Sequence, residues 1–213
     1  MSRKRSNSLS LSLFLLIFLS LSGCETPLKK DMRPGLADLK SIAVIPFVCM
    51  DCTIPFPGTT LKMTETTSDG NASAIMTEYL VEKLKTKDGL NVVLMPEMRK
   101  EDIEPLYSGL FKLEKTPVSD AVCIGRIYNY KERRGGNYSV SEPASVAFDM
   151  RIIRVSDGQV LFACDFDETQ KPLSSNIMNI RSFLKRKGRW IKAEEMALSA
   201  MDEALKEFIE NKP

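Results

Sequence analysis

The sequence has 213 residues, with 30 basic side chains, 28 acidic side chains and no histidine. The absence of histidine excludes Ser-His-Asp and Cys-His catalysis, His-ligated metal sites and c-type haem attachment. A net charge of only +2 gives no broad basic surface, so we expect no nucleic-acid partner.

The N-terminus predicts an export signal. The basic residues 3–5 precede residues 9–21, an apolar run of Leu, Ile, Phe and Ser that is too short to span a bilayer. The run ends in "LSGC", residues 21–24, which resembles the lipobox of bacterial lipoproteins. This resemblance implies cleavage of the signal peptide, residues 1–23, and lipidation of Cys24, which anchors the mature chain to a membrane.

The residue after the lipobox predicts the membrane. Glu25 in place of Asp implies the outer membrane by the sorting rule of enteric bacteria, with the body of the protein on the periplasmic face. The inner membrane is the less favoured alternative. Removing residues 1–23 takes away three of the 30 basic residues and none of the 28 acidic ones, so the mature chain carries a charge of −1.

The first half of the mature chain predicts alternating strands and helices. Residues 24–39 are polar, with Pro and Gly, and predict a short tether, so that residues 40–213 form a single periplasmic domain. The apolar run 40–48 predicts a buried strand. A helix is predicted from residue 72 with Asn71 as its N-cap, then a short strand over 90–96, then a weaker helix broken near Pro105.

The second half predicts an antiparallel meander and a closing helix. Strands are predicted over residues 121–130, 145–155 and 159–167, with the "SDG" turn at 156–158 joining the last two. An amphipathic helix over 192–210 then packs on the sheet. The fold class is therefore α/β, with a mixed sheet, a C-terminal three-stranded antiparallel meander and helices packed on the sheet.

Three stretches carry a resemblance to a known family. They are "IAVIPF" at 42–47, "DAVCIGRI" at 120–127 and "RIIRVSDGQVL" at 151–161. Together with the lipobox they resemble the bacterial lipoproteins that include the curli-secretion lipoprotein CsgG and the penicillin-binding-protein activator LpoB. The resemblance covers about residues 40–167 and the last helix, and it implies the fold and an envelope role.

A CxxC pair follows the first predicted strand. Cys49 and Cys52 lie in a compartment that favours oxidation of neighbouring thiols. Pro55 and Pro57 argue against a helix after Cys52 that would activate a redox thiol. A structural disulfide between Cys49 and Cys52 is the favoured interpretation, and free thiols or a redox or metal role are the alternatives. Cys123 and Cys164 lie in predicted strands and are interpreted as small apolar core residues.

Two charged stretches have both a functional and a structural interpretation. Asp165, Asp167 and Glu168 have the chemistry to bind a cation or transfer protons, but their alternation in a strand favours a solvated face. Residues 185–190, "KRKGRW", have the composition to contact anionic head groups or an acidic partner. The favoured interpretation is an exposed turn before the last helix, with Trp190 partly buried.

The predicted function is that of an accessory protein. We expect a non-catalytic, protein-binding lipoprotein of the cell envelope, with no catalytic residue, cofactor or metal, whose partners are the membrane, through Cys24, and another envelope protein. One alternative is a subunit of an oligomeric outer-membrane export channel, for which residues 128–147, and less so 53–71, are the candidate membrane-inserting strands. Pro143 and the charges near it argue against that role. A second alternative is a thiol oxidoreductase that uses Cys49 and Cys52.

Overall fold

The computed structural model describes residues 28–50, 68–107, 119–171 and 189–210. Within these ranges the chain forms one seven-stranded sheet, a separate two-stranded sheet and three helices. The helices are α1 (Ser68–Lys85), α2 (Lys100–Tyr107) and α3 (Ala193–Glu210). The strands are β1 (Leu28–Met32), β2 (Ser41–Val44), β3 (Val48–Cys49), β4 (Asn91–Leu94), β5 (Ala121–Lys131), β6 (Arg134–Gly135), β7 (Val140–Glu142), β8 (Ser145–Arg154) and β9 (Val160–Thr169).

The large sheet is mixed. Its strand order is β1-β9-β8-β5-β2-β4, and β3 pairs with β5 beyond the end of β2. Strands β2, β3, β4 and β5 pair in parallel, whereas β5, β8, β9 and β1 pair antiparallel. The predicted fold class, a mixed sheet with an antiparallel meander and packed helices, is confirmed.

The meander follows the alternation in the sequence. Strand β8 buries every second side chain in the main core, namely Val146, Phe148, Met150 and Ile152. Gly158 closes the turn to β9 with a φ of 71°, and its amide donates to the carbonyl of Arg154 over 3.0 Å. A positive φ is the conformation that favours glycine, which explains why the "SDG" turn was identifiable.

The folded domain begins earlier than predicted. Part of the predicted tether over residues 24–39 is strand β1, which pairs antiparallel with β9 and places Leu28 opposite Phe166 and Met32 opposite Phe162. Leu28 and Met32 pack against the main core, and Leu36 is buried in it. The described domain therefore starts at Leu28 instead of residue 40, because these apolar residues cover the outer side of β9.

The predicted strand over residues 40–48 is two short strands, β2 and β3. The chain leaves the sheet between them at residues 45–47, where Pro46 has no amide to donate. The break places the ring of Phe47 directly against Gly125, where a larger residue would collide with the ring through its Cβ atom. The ring also meets Phe148 edge-on, with 6.2 Å between centroids.

Helices cover both faces of the sheet. Helices α1 and α3 bury the main core against one face, and α2 packs on the other face. Helix α3 is amphipathic and packs on the sheet as predicted, and its buried residues include Ala197, Met201, Ala204, Leu205 and Phe208. Among the described helices, none is both long enough and apolar enough to cross a membrane.

Two helix boundaries differ from the prediction. Helix α1 begins at Ser68, so Asn71 lies inside the helix and is not its N-cap. Helix α2 continues through Pro105 to Tyr107. Burial of Ile103 and Leu106 against the sheet holds this short helix together despite the missing proline amide.

Candidate functional site

Strand β4 forms one edge of the large sheet. It follows a turn at Gly89, which has a φ of 76°, and its β-branched residues Val92 and Val93 favour a strand. The amide of Asn91 donates to the carbonyl of Lys40, and the amide of Met95 donates to the carbonyl of Val44, each over 2.8 Å. Alternate residues of β4 therefore bond inward to β2.

The other backbone groups of β4 point away from the sheet. Because Asn91 and Met95 bond inward, the period of two directs the N–H and C=O groups of Val92 and Leu94 outward. Within the described ranges, β2 is the sole strand that pairs with β4. The strand has no charged residue, and the Leu94 side chain is 55% exposed. An unprotected edge of this kind is a template for pairing with another chain.

Helix α2 follows this edge along the chain and packs on the neighbouring strands. Its buried residues Ile103 and Leu106 share a core cluster with Ile124 of β5 and with Ile45, which directly follows β2. Met95 and Met98, which lead from β4 into α2, pack against the same cluster. The position of α2 therefore fixes where the chain goes after β4.

A polar cluster, the Asp149 cluster, fastens the end of α2 to the sheet, and of its four residues only Tyr128 is exposed. It consists of Tyr107, Arg126, Tyr128 and Asp149. Arg126 of β5 lies directly opposite Asp149 of β8, and its guanidinium donates to both carboxylate oxygens. The hydroxyls of Tyr107 and Tyr128 donate to the same carboxylate over 2.9 and 3.0 Å.

The tyrosine rings enclose the guanidinium. The Arg126 Cζ atom lies 3.5 Å from the ring centroid of Tyr107 and 5.4 Å from that of Tyr128. Side-chain exposure is 11% for Arg126 and 6% for Asp149. The pair is therefore largely desolvated, and the cation–π contacts and tyrosine hydrogen bonds compensate for the lost water.

Burial and the Asp149 charge change how the two tyrosines titrate. Burial, then the nearby Asp149 carboxylate, raises the pKa of Tyr107 far above its ordinary value. The same two causes raise the pKa of Tyr128 to about 12. Both hydroxyls therefore stay protonated near neutral pH and keep donating to Asp149. Because each oxygen of Asp149 has donors, the arrangement is that of a structural clamp.

The Asp149 cluster was missed by the sequence analysis. Asp149 and Arg151 alternate with the apolar residues of β8 and lie on the opposite face of the strand, yet Asp149 is only 4% exposed. The usable signal was the pair of opposite charges, Arg126 and Asp149, inside two apolar strands predicted to be neighbours. Such charges are rarely buried unless they pair.

The predicted cysteine sites fall partly within the described residues. Cys24 and Cys52 lie outside them, so lipidation and the Cys49–Cys52 pairing stay predictions. Cys49 ends β3 and is disulfide-bonded. Cys123 and Cys164 are free and buried in the main core, as predicted, and burial raises the pKa of Cys164 to about 12.

Of the two charged stretches singled out in the sequence, residues 165–168 are described in full and residues 185–190 only in part. Asp165 and Asp167 are exposed, as expected for a solvated face, and the described residues hold no group of three or more His, Cys, Asp or Glu suited to a metal ion. Trp190 is partly buried, as predicted, and its amide donates to the carbonyl of Asn137 over 2.8 Å. Residues 185–188 lie outside the described ranges.

The candidate membrane-inserting strands belong to the folded domain where they are described. Residues 128–147 comprise the end of β5, the β6–β7 hairpin and the start of β8. Strand β6 pairs antiparallel with β7, and β5 pairs with β8 across the base of the hairpin. Residues 53–67 of the second candidate segment lie outside the described ranges.

No protein-family model and no curated protein matches the sequence. The chain is similar in structure to the PelC dodecamer from Paraburkholderia phytofirmans, with a TM-score of 0.50 and 15% identity over 87% of this chain and 98% of that one. A more remote likeness is to lipoprotein GNA1162 from Neisseria meningitidis, with a TM-score of 0.37 and 14% identity over 69% of this chain and 96% of that one. Another is to protein XCC0632 from Xanthomonas campestris, with a TM-score of 0.40 and 12% identity over 84% of this chain and 90% of that one.

At these identities the PelC likeness shows a shared fold. It agrees with the mixed sheet predicted from the sequence. It does not support the narrower resemblance to CsgG and LpoB, which still depends on the three sequence motifs.

Proposed function

We propose that this chain is a non-catalytic, lipid-anchored protein of the bacterial envelope that associates with further copies of itself through the edge of β4. Cys24 would carry the lipid, and the domain would lie on the periplasmic face of the outer membrane. The observation that carries the proposal is the open, uncharged edge of β4, with Leu94 exposed.

The chemistry of β4 supports a contact made largely by the backbone. Val92 and Leu94 each present one donor and one acceptor, which is the pattern that an added strand requires. The exposed Leu94 side chain adds apolar surface at the same place. Soluble proteins usually protect an edge strand with charges or proline, and β4 contains neither between Asn91 and Leu94.

The fold likeness supports a second copy as the partner. The PelC structure, of which this chain covers 98%, is a dodecamer. A contact of β4 with a different surface of the next copy is heterologous, and it can therefore build a closed ring.

The test is the mass of the lipidated, detergent-extracted protein. We expect a homo-oligomer for the wild type and a shift toward the monomer for Leu94→Lys, which puts a charge on the edge. Leu94→Pro is a second variant that removes an outward N–H without touching the bonds to β2. The matched control is Tyr138→Lys, which replaces another exposed large hydrophobic residue, far from β4, and should keep the wild-type mass.

Two results would contradict the proposal. A monomeric wild type would rule out self-association. An oligomer that survives both Leu94→Lys and Leu94→Pro would place the contact on another surface.

A further inference from the structure

The position of Leu28, the first residue of β1, determines which end of the domain lies near the lipid anchor. This inference rests on the proposed lipid anchor at Cys24. Four residue steps separate Cys24 from Leu28, the first residue of β1. Even a fully extended chain covers about 3.5 Å per residue, so Cys24 lies within roughly 14 Å of Leu28. A tether of this length holds one end of the domain against the membrane.

The strand register identifies that end. Leu28 lies in one row with Phe166 of β9, Phe148 of β8 and Ile127 of β5. Strand β1 is antiparallel to β9, so its first residue, Leu28, is the residue of β1 nearest the end of the sheet toward which β5 and β9 run. Both strands continue that way, to a row that contains Thr169 three residues beyond Phe166, or about 10 Å further at the usual rise per residue.

The β6–β7 hairpin projects from this end. At its tip, Tyr138 is 86% exposed, the most exposed of the large hydrophobic side chains in the described residues. The hairpin also carries the half-buried Arg133, whose Nη2 donates to the side-chain oxygen of Asn137 over 2.6 Å, and the exposed Arg134, whose Nη1 lies 3.2 Å from Glu142. The hairpin therefore combines an exposed aromatic ring with one exposed arginine.

The hairpin is fixed to the rest of the domain. The amide of Trp190 donates to the carbonyl of Asn137 over 2.8 Å. At the base of the hairpin, the Glu132 carboxylate accepts from the amide of Ala193, the first residue of α3, at 3.2 and 3.3 Å. These bonds place Trp190 beside the tip and hold both on the anchored end.

We propose that the tip of the β6–β7 hairpin and Trp190 contact the polar headgroup layer of the membrane that holds the lipid anchor. Tyr and Trp are enriched at the membrane–water interface, because one part of each ring is apolar and another part forms hydrogen bonds. Arginine side chains extend to reach lipid phosphates while their stems lie against apolar surface. The partner of this surface is therefore the lipid headgroup layer, in which phosphate is the group that the exposed Arg134 meets.

This orientation is compatible with the contact proposed for β4. The strands then stand away from the membrane, and the edge of β4 faces sideways, along it. Leu94 of β4 and Val44 of β2 lie level with Cys123 of β5. Cys123 precedes Ile127, the β5 residue level with Leu28, by four residues, so Leu94 lies farther from the anchored end than Leu28 does. Copies that associate through this edge would therefore stand side by side on one membrane.

The experiment measures tryptophan depth in the lipidated mature chain. The chain is reconstituted into vesicles of phosphatidylethanolamine and phosphatidylglycerol that carry a spin label on the head group. Trp190 is the sole tryptophan of the sequence, so wild-type fluorescence reports its own distance from the label. A second protein, Trp190→Phe with Tyr138→Trp, moves the reporter to the hairpin tip. The matched control, Trp190→Phe with Ser156→Trp, places it in the exposed β8–β9 turn at the opposite end of the sheet.

We expect the label to remove about half of the emission at position 138 and to leave position 156 nearly unchanged, with position 190 between them. Vesicle-bound protein that is quenched at neither 138 nor 190, or more strongly at 156, would overturn the orientation while leaving the anchor intact. A mass that lacks acyl chains on Cys24 would overturn both this inference and the proposed anchor.

Discussion

The two edges of the sheet differ in what they offer another chain. Strand β1 carries Lys29, Lys30 and Asp31, all exposed, so an approaching strand meets three charges. Strand β4 has no charge over four residues and exposes Leu94. Charged edges are the usual protection against strand pairing between molecules. The sequence therefore protects one edge and leaves the other available, which favours a functional contact at β4.

The two edges are also supported differently. Lys30 of β1 reaches α3 and bonds to Glu207 over 2.8 Å on the surface. Helix α2, which follows β4 along the chain, is fastened by the largely buried Arg126–Asp149 pair and the hydroxyl of Tyr107. A single row of charged residues runs across the strands between the two edges. It contains Arg126 of β5, Asp149 of β8, Asp165 of β9 and Lys29 of β1, each opposite the next. The same kinds of charge are buried at one end of this row and solvated at the other.

The largest expected effect is that of Asp149→Ala. This change leaves Arg126 largely buried without its main acceptor, because the other carboxylate near it, Glu104, is 3.4 Å away and exposed. We expect a loss of about 3–5 kcal/mol in the free energy of unfolding. Urea unfolding followed by Trp190 fluorescence measures it, and hydrogen exchange should show a larger increase in α2, which the cluster fastens, than in β1.

The matched control is Asp165→Ala, in the next strand of the same row. Asp165 is exposed, so its removal should change the free energy of unfolding by no more than about 0.5 kcal/mol. Equal losses for the two variants would mean that the Asp149 cluster does not stabilise the fold in the way its burial indicates.

A smaller effect is expected for Tyr107→Phe. The hydroxyl of Tyr107 donates to Asp149 and lies 3.2 Å from the carbonyl oxygen of Ile124, and both contacts are buried. Removing it leaves Asp149 with Arg126 and Tyr128 as donors, so the loss should be about 1–2 kcal/mol. The control is Tyr138→Phe, whose exposed hydroxyl should contribute almost nothing. A Tyr107→Phe protein as stable as the wild type would show that the Tyr107 hydroxyl does not help to hold α2.

Alkaline pH should weaken the same clamp. Burial and Asp149 raise the pKa of Tyr107 and Tyr128 above the ordinary value of 10.0. Because the folded state holds these protons more tightly than the unfolded state does, their contribution is fully present below pH 10. It is lost as the pH rises above 10 toward the raised values. At pH 10.5 the loss from the buried Tyr107 should stay below about 1 kcal/mol.

The measurement is the free energy of unfolding between pH 9 and 11. The variant Tyr107→Phe with Tyr128→Phe should show a shallower decline than the wild type. Burial also raises the pKa of Tyr79 and Tyr130, so some decline should persist in the variant. Identical slopes would contradict a coupling between the two hydroxyls and Asp149.

Elements whose cause is local were predictable from the sequence. The alternation in β8, the turn at Gly158 and the buried stripe of α3 each depend on a period or a turn residue that the sequence displays. The signal for β1 was weak, because "LKKDM" is charged and has only two apolar ends. Its strand conformation comes from pairing with β9, a contact distant in the sequence.

The features of the candidate site depend on such distant contacts. The open edge of β4 follows from the strand order, and no property of "NVVL" shows that β4 lies at the edge of the sheet that the described residues form. The burial of Asp149 depends on α2 lying over it, which the weak helical pattern and Pro105 obscured. The alternation of apolar and polar residues along each strand was thus predictable. Which element covers the second face of the sheet was not.

The smallest expected effect belongs to the protected edge. Lys30→Ala removes the ion pair with Glu207, whose side chains are 29% and 60% exposed, and surface pairs of this kind contribute about 0.2–1 kcal/mol. Thermal unfolding should therefore shift only slightly. The mass of the extracted protein should stay that of the wild type, because Lys29 and Asp31 still place charges on β1. If Lys30→Ala produced larger assemblies, a single lysine would be what keeps β1 from pairing with a strand of another molecule. The contrast between the edges would then be one of degree, and Leu94→Lys together with Lys30→Ala would show which edge controls assembly.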